Sequence, residues 1–577
     1  MPHPTEPRPG APAGPGPSGA PAPPGAAALS GAAALSGAAD VLVDGSGRLG
    51  PLSYLVPDDL TVRPGDAVHV PYGRRAAHGV VVGPGDPAKA TRPITAVWGK
   101  RCDPADIEVA RALAARQFAT FAAIAGRLSP RKGRGATPRD PGPLRLTAQA
   151  EAVRYRRPAN PPGRRRVLLL RAPLLDPAVL AAREAAAAAS GGGQVLILCP
   201  TLALVDRVRA CFASGVVTLS AAAPGRDWKA FCEGAAPVGV GTRAAALYGA
   251  ERLACLIVVE EDHSGHYEQA MPKTHARDVA AARAAARDLA LVLISAAPTT
   301  AALGAGVKVV PVGGTAHWPR MRLISRTAGP HPGGLLPPGV RAALKQAAAA
   351  GHTPALLASR TAFQVCAGCG DRRCCPRCAA GDPCTHLIRT PCPACGRPGT
   401  RTIGYSAEAL TSWAAPYGHA VSLAELAEAA GRGLVVLPDV DAVIRAPGLD
   451  PAQAAARLIM TAAQAAGPGG TVLAVTSHPR QDLLADLFTR RDQVAVAKRA
   501  YHDAQALGLP PFGALVTLRL ARATPPSTKG WPGVIHGPRR VAGEWELLIR
   551  LPRHRLPELD PIVTRLRRGS GVRLRVD

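Results

Sequence analysis

Between residues 164 and 312 short unbroken apolar runs alternate with Ala-rich stretches, and no other feature limits the fold as tightly. The runs are RVLLL at 166–170, QVLILC at 194–199, VVTL at 216–219, VGVG at 238–241, LIVVEE at 256–261 and LVLISA at 291–296. A strand that is apolar on both sides must be covered on both sides, so these runs predict a parallel sheet with helices on each face. A second pattern of this kind begins near Pro338, with PALLAS at 354–359, GLVVLPDVD at 433–441 and TVLAVTS at 471–477. At about 100 to 200 residues per domain, the length favours three to five units. The expected fold class is multidomain α/β.

The flanking segments read differently. Residues 1–38 are Pro, Gly, Ala and Ser with two LSGA units, a composition that cannot bury enough surface to order itself, and they predict a disordered leader. Residues 39–100 carry short alternating strands, VLVD at 41–44, LSYLV at 52–56, AVHVPYG at 67–73 and HGVVVG at 78–83, and read as a small β-barrel-like domain. Residues 101–145 read as a helical, winged-helix-like region. Ile107, Leu113, Phe118, Phe121 and Ile124 fall on one side of it, and a basic, breaker-rich linker at 129–142 follows. The first α/β unit is then expected at 146–320. The second opens at 321–362, is interrupted by a Cys-rich insertion at 363–400 and resumes at 401–498. Residues 499–577 read as a small α+β domain with strands at 514–521, 544–551 and 572–576 and a helix near 556–568.

A net charge of +28 points to a polyanionic partner, nucleic acid first. Only nine of the 69 basic residues are Lys, so an Arg-favouring codon bias stays open as a second source of the charge. No apolar run is long enough to span a bilayer and no basic region precedes an apolar stretch at the start, so a cytoplasmic chain without a membrane partner is expected. Eight of the 13 Cys lie between Cys366 and Cys395, which in a reducing compartment argues for metal over disulfides.

That cluster reads CAGC at 366–369, CCPRC at 374–378, CTH at 384–386 and CPAC at 392–395. A CxxC turn lets two thiolates converge on one ion, and two such turns complete a tetrahedron. Three CxxC pairs with Cys384 and His386 give eight ligands, enough for two closed zinc sites that brace a loop and leave no position for water. The spacing to Cys378 selects Cys375 over Cys374.

The first α/β unit also has the layout of a nucleotide-binding domain, but its first strand leads into RAPLLDPAVL at 171–180. A phosphate-binding loop would place GK[ST] there, and the chain has none. An acidic strand end persists in VVEEDHSGHYEQ at 258–269, where Glu260 and Glu261 stand where one carboxylate would hold magnesium and another would position water. Solvated carboxylates at a strand end are the alternative.

VVEEDHSGHYEQ followed by HARDVAAARA at 275–284, GTRAAAL at 241–247, ISAAPT at 294–299, DVDAVIRAPGLDPAQAAARLIMTAAQAAG at 439–467 and GLPPFG at 508–513 resemble the helicase motifs and later segments of the PriA family of primosomal replication restart proteins. LSYLVPDDLTVRPGDAVHVPYGRR at 52–75 resembles the family's opening domain, which captures the 3′ end of a nascent strand. The resemblance spans about residues 40–577. It implies two degenerate RecA-like helicase lobes with a zinc-binding insertion between a small DNA-binding domain and a small C-terminal domain. It also implies one zinc on Cys366, Cys369, Cys392 and Cys395, and a second on Cys375, Cys378, Cys384 and His386. The expected DNA contacts are Tyr54, Gly73, Arg74, Arg75, Arg131 and Lys132, with Arg134, Arg164, Arg165 and Arg166 as further phosphate contacts.

The departures are equally informative. The family's P-loop Lys is missing, the arginines of its last helicase motif are replaced by TAAQAAG at 461–467, and an acidic residue of its 3′-end pocket is Ser53. Phosphoryl transfer depends on such electrostatic groups, so no catalytic residue is expected and ATP hydrolysis should be lost. The combination resembles the actinobacterial branch of the family, which lacks helicase motifs. The implied function is recognition of stalled or branched forks and recruitment of the helicase-loading machinery, with primosome and single-strand-binding proteins as partners. An active 3′ to 5′ helicase with an unrecognised phosphate loop, and a zinc-ribbon adaptor for protein or RNA, are the alternatives.

Overall fold

The computed structural model describes residues 33–44, 50–128, 137–153, 155, 166–220, 225–326, 336–358, 363–366, 368–369, 372–373, 391–403, 405, 407–445, 450–522, 524–541, 543–569 and 572–577. Five antiparallel strands come first, in the spatial order Leu52–Leu55, Ala38–Val43, Arg75–Pro84, Asp66–Tyr72 and Ala96–Lys100. The segment just before Ala96–Lys100 reaches the opposite edge: Leu55 N donates to Arg92 O and Ile94 N donates to Leu55 O, both at 2.9 Å. This closes the sheet into a small barrel around Val41, Val62, Val68, Val70 and Val81. Order begins before the predicted leader ends, because Leu35 N donates to Val62 O at 2.8 Å and Leu35 packs on that core.

Asp103 caps the helix Pro104–Arg116 through Ala105 N, and a short helix Phe121–Ala125 follows. Together they join three parts of the molecule. Asp106, fully buried, accepts from Arg283 Nε and Nη2 at 2.8 Å and from Arg287 Nη1 at 3.2 Å, tying the first helix to Ala276–Arg287 of the first α/β unit. At the other end Phe118 enters the core of the C-terminal domain, and Gln117 Nε2 donates to Val576 O at 3.3 Å.

The first α/β unit is a seven-stranded, wholly parallel sheet in the order Val216–Leu219, Val238–Gly241, Gln194–Leu198, Leu253–Val259, Ala290–Ser295, Arg166–Arg171 and Lys308–Val312. Alternate residues separate into two cores. Leu168, Leu196, Leu256 and Leu293 face the helix Ala276–Arg287 and the N-terminal helices, while Val167, Leu169, Ile197 and Ile257 face the helix Pro177–Ala189. The barrel leans on the first of these cores through Leu42, Val80 and Val82.

The second unit is a five-stranded parallel sheet in the order Arg320–Ser325, Thr471–Thr476, Leu434–Leu437, Ala355–Leu357 and His419–Val421. Its long helix Pro451–Ala466 packs between this sheet and Ala296 and Ala297 of the first unit. An antiparallel three-stranded insertion, with Phe363–Cys366 at its centre, interrupts the unit after Ala355–Leu357. The C-terminal domain is a four-stranded antiparallel sheet covered on one face by the helix Asp560–Gly569. No helix among the described residues is long and apolar enough to cross a membrane.

Candidate nucleic-acid interface and metal centre

Tyr72 and Arg75 are Cα partners, so Gly73 and Arg74 form a two-residue hairpin turn. Only Gly73 has positive φ, +60°, the pattern of a type II′ turn, whose first central position favours Gly. Gly73 therefore shapes the turn, and the turn exposes Arg74 and Arg75, which form no ion pair among the described residues. Arg92, for which the sequence gives no local signal, donates through Nη1 to Gly73 O at 2.7 Å and adds a third exposed guanidinium.

Tyr54 is placed otherwise than expected. Its ring is 4% exposed and its hydroxyl donates to Pro71 O at 3.1 Å, so it forms wall rather than contact surface. The alternation of the strand turns Tyr54 into the barrel and leaves Ser53 on the rim. Ser53 Oγ donates to Asp40 Oδ1 at 2.6 Å and accepts from Asp86 N at 3.1 Å. Asp40 is the Cα partner of Ser53, so a carboxylate stands at this rim although position 53 is not acidic. Arg131, Lys132, Arg134, Arg164 and Arg165 lie outside the described residues, and Arg166 opens the strand Arg166–Arg171.

In the insertion, Cys366 pairs with Thr400 across two antiparallel strands, which draws the first and last CxxC turns together. Cys366 Sγ and Cys395 Sγ are 3.5 Å apart, Cys369 Sγ and Cys392 Sγ 3.7 Å, and all four sulfurs lie within 4.8 Å of one another. Thiolates placed tetrahedrally at about 2.3 Å from a zinc ion stand about 3.8 Å from each other. The cluster fits that ion with no position left for water. Backbone N–H groups of Cys369 and Gly368 hold the Cys366 thiol below its usual range, which favours the thiolate a metal needs. Cys375, Cys378, Cys384 and His386 lie outside the described residues.

The acidic strand end faces the second unit. The strand stops at Val259 and Glu260 takes φ +52°, a left-handed conformation that costs a non-Gly residue about 1–2 kcal/mol. Its carboxylate is held at 2.6 Å by Nε of buried Arg171. Arg171 Nη1 also donates to Pro173 O at 2.8 Å and Leu175 O at 3.3 Å, so the loop after the first strand turns carbonyls inward. Three of the loop's own N–H groups are taken: Ala172 N donates to Val312 O, Leu174 N to His317 O and Leu175 N to Ala172 O. At the N-terminus of the next helix, where a phosphate would otherwise bind, the Asp176 carboxylate caps Ala178 N.

Glu261 is fully buried and accepts from Arg277 Nη1 at 2.9 Å, Thr299 N at 2.8 Å and Thr299 Oγ1 at 2.9 Å. Asp262 accepts from Ser295 Oγ and, across the cleft, from Arg457 Nε, each at 2.7 Å. Gln464, within the TAAQAAG segment, accepts from Arg171 Nη2 at 3.4 Å. Gln493 Nε2 spans the same junction to Arg171 O at 3.1 Å and Ala296 O at 2.8 Å. An arginine of the second unit thus reaches the acidic tip after all, from Arg457, about two turns before Gln464 on the same helix.

The barrel and the two helices after it define a DNA-binding module. The family model of the PriA 3′ DNA-binding domain (3′BD) matches residues 40–130, spanning both. Over that stretch the chain is PriA-like.

Proposed function

We propose that this chain is a replication restart protein of the primosome, which recognises stalled or branched DNA forks and recruits the helicase-loading machinery without unwinding DNA itself. The match of residues 40–130 to the PriA 3′ DNA-binding domain carries the reading. Arg74, Arg75 and Arg92 supply phosphate contacts at the barrel rim, and Asp40 offers, one strand away, the carboxylate missing at Ser53.

The lack of motor activity is supported by the loop after Arg166–Arg171. The N–H groups of Ala172, Leu174 and Leu175 are spent on protein carbonyls, an arginine fills the loop and a carboxylate caps the helix behind it, so a triphosphate would meet few donors and an added negative charge. In this reading the two α/β units are degenerate helicase lobes. The Arg171–Glu260 pair closes the nucleotide pocket, and Asp262–Arg457 and Gln464 hold the lobes together. Zinc on the four-Cys cluster braces the insertion, with a second ion on Cys375, Cys378, Cys384 and His386. Primosome and single-strand-binding proteins are the partners, in the cytoplasm.

The test compares binding to forked, duplex and single-stranded DNA at equal salt, with and without ATP. At least tenfold preference for the fork and indifference to ATP are expected. DNA-stimulated ATP hydrolysis that Glu260→Gln abolishes would overturn the proposal in favour of an active helicase. Fork binding no tighter than duplex would favour the adaptor reading.

A further inference from the structure

Three rings stand together on the outer face of the barrel, on the hairpin that the Gly73 turn closes and the strand beside it. His69 and His78 are Cα partners on neighbouring strands, and Trp98 lies on the next strand, Ala96–Lys100. Ring centroids are 5.0 Å apart for His69 and His78, 5.9 Å for His69 and Trp98, and 4.8 Å for His78 and Trp98, the last pair edge to face. The pleat puts them there. Val68 and Val70 point into the barrel core, so His69 between them points out. Its partner on the third strand is Ala96, which leaves the space that the indole and imidazoles share.

Farther along, the same outer face is covered, because Leu42, Val80 and Val82 pack into the first α/β unit. The rings begin where that cover ends, and Trp98 remains 49% exposed. The charges around them favour an anion. Arg101 is the charged side chain that, with burial and His69, depresses His78, and Lys100 follows two residues after Trp98. The nearby carboxylates Asp44 and Asp103 are paired with Arg101 and Lys100. Arg74 and Arg75 stand exposed at the hairpin that joins the strands of His69 and His78.

An uncovered indole with two imidazoles, with the exposed guanidiniums of Arg74 and Arg75 on the hairpin of the same two strands, suits a ligand that has flat rings and a phosphate backbone. We propose that His69, His78 and Trp98 form a stacking platform for an unpaired base of single-stranded DNA, a base contact beside the phosphate contacts of the Gly73 turn. The inference rests on the barrel being a DNA-binding module. Aromatic faces stack any base, so the contact is indifferent to sequence, and it is closed to duplex, whose bases already stack on one another. Arg74 and Arg75 of the Gly73 turn would meet the backbone of the same strand.

The test uses the full chain with an oligothymidine of about 20 nucleotides and a duplex of equal length. Trp98→Ala should weaken single-strand binding about tenfold and Trp98→Phe should restore most of it, while duplex affinity stays within about twofold. The slope of affinity against salt should not change, because no counterion is released by a stacked base. If Trp98→Ala binds the single strand as the parent does, or loses duplex and single strand alike, the platform is wrong while DNA binding stands. If the parent chain itself binds neither DNA, the DNA-binding reading fails first.

Discussion

His266 is buried beside the acidic tip, its Nε2 held against Val259 O at 2.8 Å while Nδ1 meets no partner among the described residues. Burial pushes its pKa down to about 4, and His275, 5.5 Å away, is likewise driven well below the ordinary value. Both are neutral in the folded chain. An unfolded chain takes up these protons near pH 6.5 and the folded chain does not, so stability falls as pH drops through 6.5, and the share of His266 levels off below about 4. For His266 alone the loss between pH 7 and pH 5 is about 2 kcal/mol, readable as a lower urea midpoint, and His266→Gln should flatten that dependence. At the hairpin, Arg74→Ala with Arg75→Ala should weaken binding to every DNA sequence alike. The slope of log affinity against log salt should become shallower by about 2, one unit for each phosphate that no longer meets a guanidinium. None of the histidine behaviour is legible from sequence, because a His in HSGH has the same neighbours whether a helix covers it or water does.

Among the elements, strands with a clear apolar pattern were legible even at an edge, as Val216–Leu219 is, and those without one were not. All six apolar runs of the first unit are strands, whereas Lys308–Val312, Arg320–Ser325, His419–Val421, Val534–Val541 and Ala96–Lys100 carry no comparable run. Each of these lies at the edge of its sheet. An edge strand is incompletely covered, so it can carry Lys, Arg or Pro, as Lys308–Val312, Arg320–Ser325, Val534–Val541 and Ala96–Lys100 do, and lose the unbroken apolar signature. The helix Pro104–Arg116 shows the converse. Its periodicity is visible in the sequence, but its docking depends on Asp106 meeting Arg283. Removing one partner of a buried pair leaves the other charge uncompensated, so Asp106→Ala should cost roughly 3–5 kcal/mol in chemical denaturation. The CxxC turns are local and legible from spacing alone. Cys392→Ser should release one zinc per chain, measured by metal analysis.

For the whole molecule, the two α/β units meet through Arg171, Asp262, Arg457, Gln464 and Gln493, pairings that would have to break if the cleft were to open and close around a nucleotide. The radius of gyration in solution should therefore be unchanged by millimolar ATP. Asp262→Ala with Arg171→Ala should loosen the junction and raise protease sensitivity between the units without creating ATP hydrolysis. The N-terminal helices, gripped by the first unit at Asp106 and by the C-terminal domain at Phe118, join the barrel to both.

Sequence alone determined the parallel α/β units, the barrel before them, the thiolate cluster and the missing Gly-Lys loop, because each depends on residue type at short spacing. Tertiary structure decided what those segments touch. Tyr54 turned into the core, Asp40 came beside Ser53, Arg457 crossed to Asp262 and two imidazoles gathered around Trp98. Those pairings join residues 13 to 195 positions apart, as for Ser53 with Asp40 and Arg457 with Asp262. Sheet register and lobe packing set them, and neither is written in any local run of the chain.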